Sequence, residues 1–153
     1  MSPPVELRQV AADDGDAEAL SRALNAEADS RYGDSHSFEP PSPLADEDPP
    51  YDAVLIAYVG PDPAGLGALR RLDPATAEIK RMVVTSEHRG RGIGRLLLED
   101  LERRARELGC EAVKLDSAAL LSEALNMYRS SGYREIPRYN ANPHAELWFE
   151  KTL

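Results

Sequence analysis

Residues 54–59, Val-Leu-Ile-Ala-Tyr-Val, form an unbroken apolar run of strand length and predict a buried strand. Upstream, residues 5–10 alternate apolar and polar as a half-buried strand does. Asp13, Asp14 and Asp16 offer helix caps ahead of Ala17, Leu20, Ala23, Leu24 and Ala28, an apolar stripe at helical spacing. From 34 to 50 the pattern breaks: Pro40, Pro41, Pro43, Pro49 and Pro50 are interleaved with acids and predict a loop. Residues 60–65 read as a turn, 67–72 as the antiparallel partner of the buried strand, Asp73-Pro74 as a second turn, and 78–84 as a further strand.

The helical signal over 93–108 is the most regular in the chain. Positions 93, 96, 97, 101, 105 and 108 share one apolar face. On the other face Glu99 with Arg103, and Glu102 with Arg106, stand four apart in the stabilising acid-first order. Gly109 supplies the left-handed residue that ends such a helix. A strand over 112–116 follows. Ser122 then caps a short helix carrying Leu125 and Tyr128, which Gly132 ends, and strands over 133–137 and 146–151 complete the chain. This order predicts an α/β sheet with helices on its faces, not a bundle or an all-β sandwich.

Composition narrows the classes. At 153 residues the chain has the length of one domain able to bury a core without metals or disulfides. The lone Cys110 suits a reducing cytoplasm, no apolar run is long enough for a membrane span, and the N-terminus lacks signal-peptide features. The expected location is cytoplasmic. A net charge of −9 argues against a nucleic-acid partner and permits attraction of a cationic amine, with solubility as its plainer and, globally, preferred explanation. His36, His88 and His144 show no ligand spacing, so no metal is expected. Cys110 reads as a small core residue.

Against this acidic background His88, Arg89, Arg91 and Arg95 cluster around Arg89-Gly90-Arg91-Gly92-Ile93-Gly94. A strand, a glycine-rich turn and an amphipathic helix make an anion site. The glycines expose backbone N–H groups, the helix start adds the positive end of its dipole, and the arginines grip phosphate oxygens. The loop is not a P-loop, because no Gly-Lys-Ser/Thr follows, and Arg95 stands where a dinucleotide fingerprint needs its third glycine.

The strand at 78–84, then Arg89-x-x-Gly92-x-Gly94, then the leucine-rich helix resembles the central motif of the GNAT acetyltransferases. Asn126-Met-Tyr128-Arg-Ser-Ser-Gly132-Tyr133 is similar to that family's second landmark. The resemblance covers roughly residues 54–153, and residues 1–53 match in layout only. It implies a single-domain α/β (α+β) GNAT fold over 1–153, with a mixed, mostly antiparallel sheet of about six to seven strands flanked by about four helices.

The resemblance also implies a site. Acetyl-CoA would be the co-substrate, its pantetheine pairing with the backbone of Met82, Val83 and Val84 and its pyrophosphate held by the loop from Arg89, Gly90 and Arg91 to Gly92, Ile93 and Gly94. Asn126 would bind the pantetheine arm. Glu78, thirteen positions before Arg91, would be the general base for an amine whose free pKa is near ~10. Its plainer alternatives are a solvent-facing strand acid or a partner for Lys80 on the same face. Tyr128 would protonate the departing thiolate, and its plainer alternative is a core tyrosine packed with Leu125.

The acceptor site would be built by residues 29–50, with Asp29, Asp34, Glu39, Asp46, Glu47 and Asp48, and by 136–147, with Arg138, Tyr139, Asn140 and Asn142. The acids favour a cationic amine, whereas Arg81 and Arg138 favour a carboxylate-bearing acceptor. The expected activity is acetyl transfer to a small-molecule primary amine. A protein amine acceptor and a non-catalytic acyl-CoA sensor stand as alternatives. The resemblance also allows a homodimer through the C-terminal strands.

Overall fold

The computed structural model describes residues 3–32, 42–117, 122–143 and 145–153, with side chains described for these except 25–32. Seven strands form one sheet: β1 (Val5–Val10), β2 (Ala53–Val59), β3 (Asp62–Asp73), β4 (Thr76–Val84), β5 (Ala112–Ser117), β6 (Arg134–Ile136) and β7 (Leu147–Thr152). Their spatial order is β1-β2-β3-β4-β5-β7-β6, and only the β4–β5 pair is parallel. The helices are α1 (Gly15–Tyr32), α2 (Ile93–Glu107) and α3 (Ser122–Ser130). The described residues thus hold three α-helices where about four were expected. The described end of the proline-rich segment forms only a short 3-10 turn, Leu44–Asp46.

β2 is buried at every position because helices cover both sheet faces. On one face, Ile93, Leu97, Leu98 and Leu101 of α2 pack with Leu55, Leu69, Ile79, Leu115 and Phe149. Those four side chains contribute roughly 6–12 kcal/mol of burial, before chain entropy is subtracted. On the other face, Ala17 and Leu20 of α1 pack with Val54, Ile56, Leu66 and Val83. Asp14 is the cap that starts α1, its Oδ1 accepting from Asp16 N at 3.0 Å and Ala17 N at 3.1 Å. α2 ends at Gly109 (φ 88°), where Cys110 N reaches back to Ala105 O at 3.0 Å.

Two local expectations are corrected. The turn expected over 60–65 is only Gly60-Pro61, since Val59 already pairs with Asp62 across a two-residue hairpin that Gly60 permits at φ 58°. The ion pairs on α2 also differ. Arg103 binds Asp100 at 2.5 Å and Glu107 at 2.6 Å, while Glu102 turns inward to accept from Tyr133 Oη at 2.8 Å and Lys151 Nζ at 2.9 Å. A partner buried beneath the helix outweighs a solvated one along it.

The feature that positions the site is a break in the sheet. β4 and β5 pair only from Thr76↔Ala112 to Glu78↔Lys114 and then part. Along the other edge of β4 the register slips: Leu66 pairs with Val83 but Ala68 with Lys80, so Arg81 and Met82 together face Gly67. Such a bulge bends the strand that carries it. Arg81 takes the positive φ of 61° that it requires, at a cost of roughly 1–2 kcal/mol. Its guanidinium is tied down from three sides, donating to Ser21 Oγ at 2.5 Å, to Ser42 O at 3.1 Å and to the Glu47 carboxylate.

Candidate active site

The splay opens a cleft of about 450 Å³. Met82, Val83 and Val84 of β4 form one wall, and Ala124, Met127 and Tyr128 of α3 another. Arg89, Gly90, Gly92, Ile93 and Gly94 close one end, and Leu24 of α1 also lines it. Gly90 and Gly92 adopt φ of 80° and 77°, and α2 begins at Gly92 with no side chain capping its first N–H groups. Those amides and the dipole end are therefore available to an anion. Nothing lies within 4 Å of where a Cβ at Gly92 would sit, so the space above the loop is open. Gly94 is different: a Cβ there would come within 2.8 Å of Met127 Sδ, so the glycine is what lets α2 and α3 approach.

Of the residues expected from sequence, Met82, Val83, Val84, Arg89, Gly90, Gly92, Ile93, Gly94 and Tyr128 come together around this cleft. Arg91 and Asn126 are exposed and do not line it. His88 and Arg95 of the basic cluster also line it, as does Met127, which the sequence did not single out. Helical spacing could have found Met127: positions 124, 127 and 128 share a face of α3 that turns Asn126 away. Arg95 also donates to Ser130 Oγ at 2.9 Å, and Arg89 to Val84 O at 3.1 Å.

Tyr128 is buried, its ring centroid 5.9 Å from that of Tyr133 in an edge arrangement and 6.1 Å from that of Phe149. Burial pushes its phenol pKa up, and the Asp116 carboxylate adds to the rise. It remains a neutral proton donor at any ordinary pH.

Glu78 lies at the fork where β4 leaves β5, on the α1 face of the sheet. Its side chain is 2% exposed and is not part of the cleft wall. The pairing with Lys80 weighed from sequence does not occur. Glu78 Oε1 accepts from Arg70 Nε at 2.9 Å, and Oε2 from Tyr139 Oη at 2.6 Å and Asn140 Nδ2 at 3.3 Å. Lys80 instead crosses the fork to Asp116 Oδ2 at 3.2 Å.

Asn140 joins the two carboxylates. Its Nδ2 also donates to Asp116 at 2.6 Å, and its Oδ1 accepts from Trp148 Nε1 at 2.8 Å. Local pattern could not reveal this network, because Tyr139 and Asn140 stand 61 and 62 positions from Glu78. Arg81 and Arg138 are both engaged, the first with Glu47 and the second over the Trp148 ring at 4.8 Å. Of the other acceptor-side acids, Asp34 and Glu39 and the side chain of Asp29 lie outside the described residues, as do His36 and His144. Among the described residues no group of acids, histidines and cysteine could hold a metal, and no helix is long and apolar enough to cross a membrane.

A glycine-rich turn at the mouth of a splayed parallel pair is the arrangement that the resemblance to acyl-CoA-dependent transferases implies, and comparison with known proteins gives the family. Residues 18–133 match the Acetyltransferase (GNAT) family, and the chain belongs to it. It is 40% identical over 68 residues to an uncharacterized N-acetyltransferase of Dictyostelium discoideum, covering 44% of this chain and 32% of that protein. It is 35% identical over 103 residues to the IAA acetyltransferase of Azospirillum brasilense, covering 65% of this chain and 67% of that one. The chain therefore spans between a third and two thirds of the length of these relatives. The PaiA N-acetyltransferase of Thermoplasma acidophilum, solved in complex with coenzyme A, has the same fold. Its TM-score is 0.72 at 16% identity, over 98% of this chain and 99% of that one.

Proposed function

We infer that this chain transfers an acetyl group from acetyl-CoA to a primary amine of a small molecule by direct attack of the amine on the thioester. The observation that carries the reading is the convergence of three features on one cleft: the splayed backbone of Met82–Val84, the uncapped start of α2 behind Gly90 and Gly92, and the hydroxyl-bearing wall at Tyr128. The solved relative holding coenzyme A on this fold supports it.

Acetyl-CoA supplies the activated acetyl group. The loop amides hold its pyrophosphate, with Arg89 and Arg95 adding charge from the cleft wall and Arg91 from outside it. The β4 backbone beyond Glu78 has lost its β5 partner and is free to pair with an extended arm. Tyr128 stabilises the departing thiolate by a hydrogen bond from its hydroxyl. Glu78, anionic beside Arg70, is the destination of the proton the amine must lose. The exposed acids Asp46 and Asp48 and the net charge of −9 draw in a cationic amine. A reducing cytoplasm suits the buried, unpaired Cys110, whose thiol pKa burial raises.

Calorimetric titration with acetyl-CoA tests the reading, beside Gly92→Glu. The space at Gly92 is open but its φ of 77° strains any side chain, so the variant is scored only once shown to be folded, and its carboxylate repels the pyrophosphate. Micromolar binding by the wild type, lost in a folded mutant, is the expected result. A wild type that binds nothing would overturn the reading.

A further inference from the structure

The burial of Glu78 poses a chemical problem. If it receives the acceptor's proton, as the reading above requires, some other group must touch the acceptor, because its own carboxylate is almost wholly enclosed. Three side chains reach that carboxylate: Arg70, Asn140 and Tyr139. A guanidinium does not give up its proton in a protein, and an amide does not relay one. Of the three, only the hydroxyl can release one proton while taking up another. Tyr139 is half-buried and so is reached by solvent where the carboxylate is not; like Glu78 it lies outside the cleft wall, and its ring is 5.2 Å from Lys114 Nζ.

We propose that Tyr139 is a catalytic residue that meets the acceptor amine and relays its proton to Glu78 along the 2.6 Å hydrogen bond between them. In the step, an N–H bond of the acceptor ammonium breaks and its proton bonds to Tyr139 Oη. The proton already on Oη passes to Glu78 Oε2. The acceptor becomes a neutral amine with a free electron pair, Tyr139 is again a phenol, and Glu78 is a carboxylic acid. After product leaves, the same path returns the proton to water.

The surroundings suit a relay that never ionises. The charged groups facing Tyr139 are Arg70 from β3, Glu78 from β4, and Lys114 and Asp116 from β5. Burial, followed by the Glu78 carboxylate, pushes the Tyr139 pKa well up, so the hydroxyl stays neutral throughout the working range. Asn140, itself accepting from Trp148, also donates to Glu78 Oε2, the oxygen that Tyr139 reaches.

Tyr139→Phe keeps the ring and removes the relay together with its hydrogen bond to Glu78. Acetyl transfer is followed by release of the CoA thiol with two acceptors: an alkylamine, which arrives as the ammonium, and hydroxylamine, which arrives neutral. The expected result is a fall in kcat/KM of about 10²–10³-fold for the alkylamine and no more than about threefold for hydroxylamine. The wild type should show a plateau of alkylamine kcat/KM over neutral pH. The variant should climb about tenfold per pH unit, because only the free amine then reacts. Equal losses with both acceptors, or a retained plateau, would overturn the relay while leaving the transferase reading intact. A wild type that binds acetyl-CoA and acetylates neither amine would sink the transferase reading and the relay with it. If the variant folds poorly, the wild type alone decides: two protons in flight bow the plot of rate against deuterium fraction, and a straight line overturns the relay.

Discussion

Tyr128→Phe separates the chemistry from the packing more cleanly than any other single change. The ring lies against Tyr133 and Phe149, and both contacts survive the substitution. Among the described residues no hydrogen bond to the hydroxyl is present, so its removal leaves no partner stranded. Stability should change by less than about 1 kcal/mol, a shift in Tm of at most roughly 2–4 °C. The effect on rate follows from the proton balance. A phenol near ~10 facing a thiol near ~8.5 makes full transfer uphill by about 2 kcal/mol. Burial and Asp116 push Tyr128 further up and steepen that climb. On the proposed function Tyr128 would therefore act mainly as a strong hydrogen-bond donor to the developing thiolate, and its loss should lower kcat by about 10²–10³-fold.

The assay is steady-state release of CoA at saturating acceptor, paired with calorimetry of acetyl-CoA. An interaction made only as the thiolate forms lowers kcat and leaves acetyl-CoA affinity within about twofold. Because Tyr128 is held protonated, wild-type kcat should also show no alkaline loss traceable to it below pH ~10. Wild-type kcat in the Phe variant would refute the donor role. A loss of affinity matching the loss of rate would assign the hydroxyl to binding.

Two further outcomes follow from the packing. At Gly67 a Cβ would lie 2.7 Å from Met82 Sδ and 2.8 Å from Leu101 Cδ1, so Gly67→Ala should cost about 1–3 kcal/mol. Since Met82 lines the cleft and must move, acetyl-CoA affinity should fall with Tm; calorimetry showing an unchanged Tm would mean the bulge has slack. The second outcome is alkaline. Tyr128, Tyr133 and Tyr139 all have folded pKa values raised, chiefly by burial, above the unfolded value near ~10. Their contribution is complete below pH ~10 and is lost above it, at about 1.4 kcal/mol per pH unit for each tyrosine. Tyrosinate absorbance should therefore appear together with unfolding, and titration of these tyrosines in the folded protein near pH ~10 would contradict the burial argument.

What the sequence discloses is whatever local period encodes. The apolar run at 54–59 is continuous because both faces of β2 are covered, and the 3.6-residue stripe of α2 marks the face that covers it. The glycine loop is legible because strand, turn and helix are contiguous. Partners that meet through the fold are not. Arg70 reaches Glu78 because β3 and β4 place them opposite each other, and Tyr139 reaches it from the β6–β7 connection. Lys80, the nearest cation along the chain, is drawn instead to Asp116 on a strand that is adjacent only in space. A carboxylate's partner in a sheet is set by cross-strand register, which one strand's sequence does not carry.

The bulge in β4 is an intermediate case, because its cause is local even though its consequence is not. In Glu78-Ile79-Lys80-Arg81-Met82-Val83-Val84 two cations stand side by side, and strict alternation would send one of them into the α2 core. A single inserted residue removes the conflict. Lys80 and Arg81 both then serve the α1 face, where they find Asp116 and Glu47, while Met82 and Val84 join Ile79 on the α2 face and Val83 packs beneath α1. The same insertion bends β4 away from β5 and frees its backbone where the cleft begins. Charge burial and strand alternation therefore require, at Arg81, the distortion that acyl-CoA binding would exploit. The positive φ there reflects that requirement, with Ser21, Ser42 and Glu47 holding the side chain that made it necessary.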